Sequence, residues 1–149
     1  MPLSLVRIDD RMIHGQVVLG WARVLKPDRI ILSNDRIAGN AWERKFYTAS
    51  VPSQIKLSFL TLTETTAECL NELFDDEDVL ILFDSVRDIV AVIETGVKFE
   101  RINVGGLHFR PGAEEILPYV FLTDEDKRLL RELVKQGVTL FAQDIPGNP

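Results

Sequence analysis

The chain has 149 residues, 46% hydrophobic and 27% charged, the mix of a soluble globular protein long enough to bury one sizeable core. Its formal charge of −6 and pI near 4.9 argue against a broad nucleic-acid-binding face, and no Lys/Arg run overrules that. The single cysteine, Cys69, excludes an intramolecular disulfide framework and a Cys-rich zinc site, and no apolar run approaches the roughly 20 residues of a bilayer span.

The opening MPLSLVRIDD has no basic region followed by a long apolar core, so no secretory signal is expected and a cytoplasmic location is. Within it LSLVRI (3–8) reads as a first strand, followed by the helical GQVVLGWARVL. Further strand patterns are RIILSN (29–34), IKLSFLTL (55–62), DVLILFD (78–84), RINVGG (101–106) and VTLFAQ (138–143). Several are apolar without clean alternation, as in parallel strands covered on both faces. YVFL (119–122) is expected as an extra antiparallel edge strand.

Between the strands lie helix signals. TLTETTAECLNELF offers Thr63 or Thr65 as N-cap, with Glu68 three residues after Thr65. SVRDIVAVIETG opens on Ser85 with Asp88 at the same spacing and stops at Gly96. TDEDKRLLRELVKQG begins at Thr123, carries acids in its first turn, and ends with Lys135 before Gly137, charges that complement the helix dipole. The βα alternation predicts a single α/β domain over 1–149: an open, mainly parallel sheet with helices on both faces, and a tail from about 144. Trp21 and Trp42 are expected to pack against the sheet, Cys69 to be a buried structural thiol, and the acidic run at 75–78 to be a solvated turn.

In such a sheet, ligands gather at the carboxyl ends of strands. There the chain places VRIDDRMIHG, SNDR (33–36), FDSV (83–86) and NVGGLHF (103–109). His14 falls where strand 1 passes into a helix, whose first N–H groups can hold an anion and whose dipole keeps an imidazole neutral. Gly15 allows close backbone approach, Arg11 offers a fork of donors suited to a phosphoryl group, and Asp9 or Asp10 could select the ring tautomer. The plain alternative is a surface loop in which Asp and Arg pair with each other and His14 caps the helix. Asn34, Asp35, Asp84, Ser85 and His108 are further candidates to line the crevice. No metal-ligand spacing joins His14 to His108, GGLHFRPG is not a dinucleotide fingerprint, and neither a Walker loop nor a G-x-S-x-G elbow is present.

At RIDDRMIHGQV the sequence resembles the IIB components of the mannose/fructose/sorbose family of the bacterial sugar phosphotransferase system, whose pattern R-[IV]-D-[DS]-R-[LM]-[IL]-H-G-Q-V it matches. PDRIILSND and TGVKFERINVGGLHF extend the likeness along nearly the whole chain. The resemblance implies a phosphoryl carrier: phosphate arrives from a phosphohistidine IIA partner and leaves for a sugar held by a membrane IIC/IID complex. Carried over, His14 is the phosphorylated residue, Arg11 stabilises the phosphoryl group, Asp9 orients loop and ring, and Gly15 and Gln16 complete the phosphate-binding motif. It implies no cofactor, no metal, no nucleic acid and no insertion into the membrane, but a cytoplasmic protein peripherally associated with its transporter. Ala113 stands where relatives often have lysine, and Asp84 where relatives vary. Two alternatives stay open at this point: a regulatory phosphocarrier of the same fold that does not feed transport, and a non-catalytic small-anion-binding domain.

Overall fold

The computed structural model describes residues 3–11, 15–72 and 76–142, with the backbone alone at 3–4 and 15–19. In chain order the elements are β1 (Leu3–Ile8), α1 (Gly15–Leu25), β2 (Arg29–Ser33), α2 (Asp35–Ala38), α3 (Ala41–Ser50), β3 (Lys56–Leu60) and α4 (Leu62–Leu70). They continue with β4 (Val79–Phe83), α5 (Val86–Glu94), β5 (Arg101–Val104), β6 (Glu114–Leu117), β7 (Val120–Leu122), α6 (Asp124–Lys135) and β8 (Thr139–Ala142). Six strands form a parallel sheet in the order β3-β2-β4-β1-β5-β8.

Side-chain alternation sorts the two layers around the sheet. Val6 and Ile8 of β1 join Ile31 and Ile81 in a core shared with Ile89 and Val90 of α5 and with Leu130 and Leu133 of α6. Ile30, Leu32, Leu80 and Leu82 point the other way, toward Trp21 of α1 and Ile37 of α2. All five residues of β4 are buried, which is why VLILF carries no polar face. The connection after β1 leads to β2 on one side, whereas the one after β4 passes β1 to reach β5 on the other. The chain's direction reverses around β1, so its carboxyl end is the crevice where an open α/β sheet offers a binding site.

Helix starts follow local chemistry, with one correction. Ser85 caps α5 and Thr123 caps α6, the latter in a reciprocal capping box with Asp126. Helix α4, however, is capped by Thr61 in a box with Glu64, and neither Thr63 nor Thr65 is the cap. The strand before it stops at Leu60, so the helix begins four residues earlier than the Thr65–Glu68 spacing suggests, and Thr65 is buried with its hydroxyl 2.6 Å from that of Ser33. After α5 and α6 the backbone enters the left-handed region at Gly96 (φ 111°) and Gly137 (φ 96°), where a side chain would be strained.

Other expectations need revision. The run at 119–122 contains strand β7, but its antiparallel partner is β6, so the pair forms its own two-stranded sheet, touching the main fold through a bridge from Leu107 to Val120. Helices α2 and α3 fill a stretch in which the strand-and-helix pattern marked no helix. Trp21 is buried as expected, but Trp42 is 74% exposed and stacks on Phe46 with ring centroids 6.1 Å apart. Helix α3 buries no residue completely, and only Tyr47 among its side chains packs on the core. Cys69 is half-buried against the core, and burial pushes its thiol up to about 11. Of the acidic run, Asp76 and Asp78 are exposed while Glu77 pairs with Arg29 at 3.1 Å and Lys56 at 3.4 Å; Asp75 lies outside the described residues, as does the tail from 143.

Candidate functional site

Strand β1 alternates Val6 and Ile8 into one core, and so turns Arg7 toward the opposite face, the side of α1. There the guanidinium is fully buried. It donates to Asp9 Oδ2 at 2.9 Å and to Asn103 Oδ1, and lies 5.2 Å from the centre of the Trp21 ring. A charge with no access to water survives only when it is paired and hydrogen-bonded, and Asp9 supplies the opposite charge.

Asp9 is itself completely buried. Its Oδ1 accepts the main-chain N–H of Arg11 at 3.0 Å and Arg11 Nε at 2.9 Å, while Oδ2 accepts Arg11 Nη2 at 2.8 Å beside Arg7. The carboxylate thus holds Arg11 by a two-pronged grip and is sandwiched between two guanidiniums. Burial pushes its pKa up, but the hydrogen bonds from Arg11 and the charges of Arg7 and Arg11 outweigh this and hold the carboxyl below its usual range. Asp9 is therefore an anion that sets the position of Arg11, whose side chain stays 21% exposed at the rim.

The loop is pinned to both neighbouring strands. Asp9 N–H donates to Phe83 O of β4 at 2.8 Å, Asp10 N–H to Gly106 O at 2.8 Å, and Gly105 N–H to Ile8 O at 2.7 Å. Gly105 and Gly106 explain the glycine pair that no nucleotide motif accounted for. A Cβ at Gly106 would lie 2.6 Å from Arg11 Nε, and one at Gly105 would overlap the Arg7 guanidinium. The two glycines give the two arginines room.

Asp10 faces away from this pair. Its Oδ2 accepts the main-chain N–H of His108 at 2.7 Å, and its Oδ1 lies 2.6 Å from His108 Nδ1. Asp9, Asp10, Arg11 and His108 are therefore brought together, with Arg7 beneath them. Gly15 and Gln16 are the first two residues of α1; His14 directly precedes them and lies outside the described residues.

The remaining candidates form a neighbouring group at the ends of β2 and β4. Asn34 caps α2 by accepting Ile37 N–H at 2.9 Å, Asp35 accepts Leu62 N–H at 2.8 Å, and Ser85 accepts Asp88 N–H at 3.2 Å. These are structural duties. Asp84 hydrogen-bonds Asp88; burial, this bond and the charges of Asp84 and Asp35 push Asp88 up to about 6. The chain meets the first group here, because Asp84 follows the Phe83 whose carbonyl holds Asp9. Among the described residues no three His, Cys, Asp or Glu side chains gather in a metal-binding set. A cleft of about 580 Å³ lined by Lys26, Pro27, Asp28 and Ile55 lies at the starts of β2 and β3, the opposite end of the sheet from this loop.

Sequence reasoning passed over Arg7, although a lone arginine inside LSLVRI, flanked by apolar residues on a strand, was a signal of a buried ion pair. Asn103 was legible in the same way, as the one polar residue among the buried positions of β5.

Residues 3–149 match the model of the phosphotransferase-system sorbose subfamily IIB component. The sorbose-specific EIIB component of Klebsiella pneumoniae is 34% identical over 149 residues, covering all of this chain and 91% of that protein. The mannose-specific EIIAB component of Escherichia coli (strain K12) is 29% identical over the whole chain, which spans 46% of that longer protein. The crystal structure of the IIB domain of the Klebsiella pneumoniae sorbose permease superposes with a TM-score of 0.92 at 34% identity, over 100% of this chain and 91% of that one. No helix among the described residues is long and apolar enough to cross a membrane. The sheet order, the arginine–aspartate loop on its central strand and these matches lead to one conclusion: the chain belongs to the sorbose-subfamily IIB components of the sugar phosphotransferase system, phosphotransferases that carry phosphate from IIA to a sugar through the IIC/IID permease.

Proposed function

We propose that His14 is the residue on which this protein carries phosphate, with Arg11 as its charge-stabilising neighbour and Asp9 as the anchor of Arg11. The observation that supports this most is the grip of buried Asp9 on Arg11, three residues before His14 and at the end of the strand around which the sheet's order reverses. Phosphoryl transfer between imidazoles needs alignment and stabilisation of moving charge more than covalent help. A guanidinium locked from behind by a carboxylate meets that need, because it is oriented before the phosphate arrives. The N–H groups of Gly15 and Gln16 belong to the first turn of α1, where a helix has no intrahelical carbonyl to offer them and its dipole favours an anion.

In the proposed cycle a neutral His14 ring attacks the phosphorus of a phosphohistidine on a IIA partner. The acceptor P–N bond forms as the donor P–N bond breaks, and the donor ring keeps the bonding pair. The IIA-fused architecture of the Escherichia coli mannose relative, EIIAB by name, supports a IIA donor for this chain. The phosphate then passes to a sugar held by a IIC/IID partner, which places the protein in the cytoplasm at the face of its transporter. The test is intact-protein mass after incubation with a phosphorylated IIA partner, beside His14→Ala. An acid-labile gain of one phosphoryl group, absent from the variant, is expected. No gain from a competent donor would overturn the reading.

A further inference from the structure

We infer that the outer face of the α1–α3 layer is a docking surface for an anionic lipid bilayer, with Trp42 and Phe46 of α3 at headgroup level and the cations around them on lipid phosphates. Almost nothing covers α3. Of its ten residues only Glu43 and Tyr47 are even half-buried, and they mark the side that meets the fold. On the free side Trp42, Lys45, Phe46 and Ala49 recur at the spacing of one helical stripe. Trp42 is 74% and Phe46 56% exposed, and their rings stack with planes 12° apart. A globular protein ordinarily turns such a stripe inward; here it faces solvent, and Val24 of α1, on the same layer, is 64% exposed.

Charge identifies the occupant. Between positions 15 and 51 six Lys/Arg stand against three Asp/Glu, so this stretch carries +3 in a chain of −6 and the remainder carries −9. The three acids are all engaged: Asp28 accepts the Asp78 N–H at 2.9 Å, Asp35 accepts the Leu62 N–H at 2.8 Å, and Glu43 pairs with Arg36. Arg23, Lys26, Arg44 and Lys45 are exposed and form no ion pair among the described residues. The excess acid is concentrated between positions 64 and 78, beginning with α4, whose Leu62 and Cys69 pack in the opposite layer. The two layers are separated by about two helix diameters, ~20 Å, against a screening length of about 8 Å at physiological salt. A bilayer against α3 therefore feels the cationic face and little of the rest.

Exposed Trp and Phe flanked by Lys and Arg have the chemistry of interfacial binding: the rings settle among headgroups while guanidinium and ammonium groups reach phosphate. A folded acidic partner would match the charge, but the family's permease step takes place at a membrane, which brings this layer a bilayer at every encounter. Helix α3 runs from the end of β2 back toward the start of β3, so Trp42 lies toward the carboxyl end of the sheet, the end that carries the Arg11 loop. A protein lying on this layer leaves that end open sideways, along the membrane, where a permease stands. Lipid contact is independent of which residue carries the phosphate.

The full chain is mixed with vesicles of phosphatidylcholine alone or with added phosphatidylglycerol, and bound protein is measured by sedimentation and by tryptophan emission. Wild type should bind the phosphatidylglycerol vesicles, leave the neutral ones, shift its emission to shorter wavelength as Trp42 leaves water, and dissociate as salt is raised. Arg44→Gln combined with Lys45→Gln should bind roughly 30-fold more weakly, from the contribution each cation makes near an anionic surface. Trp42→Ala should bind more weakly and lose the emission shift. The control is Arg128→Gln combined with Arg131→Gln, an equal change of net charge at exposed positions of α6 in the opposite layer, and it should bind as wild type does. All of these side chains are exposed, so the variants should fold. No binding to phosphatidylglycerol vesicles overturns the inference, as does an equal loss in the two double variants, which would make the attraction a matter of net charge and not of this face. Attachment only to membranes that carry the IIC/IID partner, whatever their lipid, overturns it too, by giving the face to a protein. Because no phosphate enters the assay, failure here leaves the phosphocarrier reading intact.

Discussion

Replacing Asp9 by Asn tests the electrostatic centre of the loop. The side chain keeps its shape, and one oxygen can still accept the Arg11 main-chain N–H and Nε, now at 3.0 and 2.9 Å. The other oxygen becomes an N–H₂ group directed at Arg7 Nη2 and Arg11 Nη2, so two bonds of 2.9 and 2.8 Å turn into donor-against-donor contacts. Each hydrogen bond to a charged group contributes about 1.5–3 kcal/mol, giving roughly 3–6 kcal/mol for the two. The general cost of removing one partner from a buried ion pair is about 3–5 kcal/mol, which agrees. The fully buried Arg7 bears most of it, since Arg11 can turn toward water. Urea unfolding should therefore show a midpoint lower by about 2 M, taking a slope of roughly 2 kcal/mol/M. The companion is Asp9→Asn combined with Arg7→Met, where the second change removes the stranded charge; the double variant should recover at least about 1 kcal/mol relative to additivity. A loss below about 1 kcal/mol in Asp9→Asn, or strict additivity in the double variant, would refute the claim that Asp9 compensates Arg7.

Other perturbations read the same structure from different sides. Gly106→Ala presses on the Arg11 guanidinium, which is held by Asp9 but reaches solvent and can give way outward, so stability should fall by less than about 1 kcal/mol while phosphate uptake slows; Gly105→Ala meets the fully buried Arg7 and should cost about 1–3 kcal/mol. Thr61→Ala removes a capping box and should lower stability by about 1 kcal/mol in thermal or urea unfolding, whereas Thr63→Ala should be near neutral. Asp88 has a folded-state pKa raised to about 6, so its stabilising contribution is present below the unfolded value near 4 and is lost as pH rises through 6. Asp88→Asn should accordingly raise the urea midpoint near pH 8 and leave it little changed near pH 4; a uniform shift across that window would refute the assignment.

Much of this protein was legible in the chain. The apolar runs placed all six strands of the main sheet to within a residue or two, because parallel strands covered on both faces have no other place to put so many Ile, Leu and Val side chains. Ser85 and Thr123 marked their helices because capping is a contact between residues three apart. The RIDDRMIHG motif located the loop, since strand-then-helix is a local pattern. What the tertiary structure alone decided depends on contacts between distant residues. Whether Thr61 or Thr65 starts α4 was settled by where β3 ends and by Ser33, 32 positions away, holding the Thr65 hydroxyl. Trp42 was left in solvent because α3 lies at the outside of its layer, a matter of how the helix is seated and not of its composition. The partition of labour between Asp9 and Asp10 could not be read from DD: it follows from β1 lying between β4 and β5, which brings Arg7, Asn103, Gly106 and His108 to the same strand end, and low-dielectric burial then makes each pairing decisive.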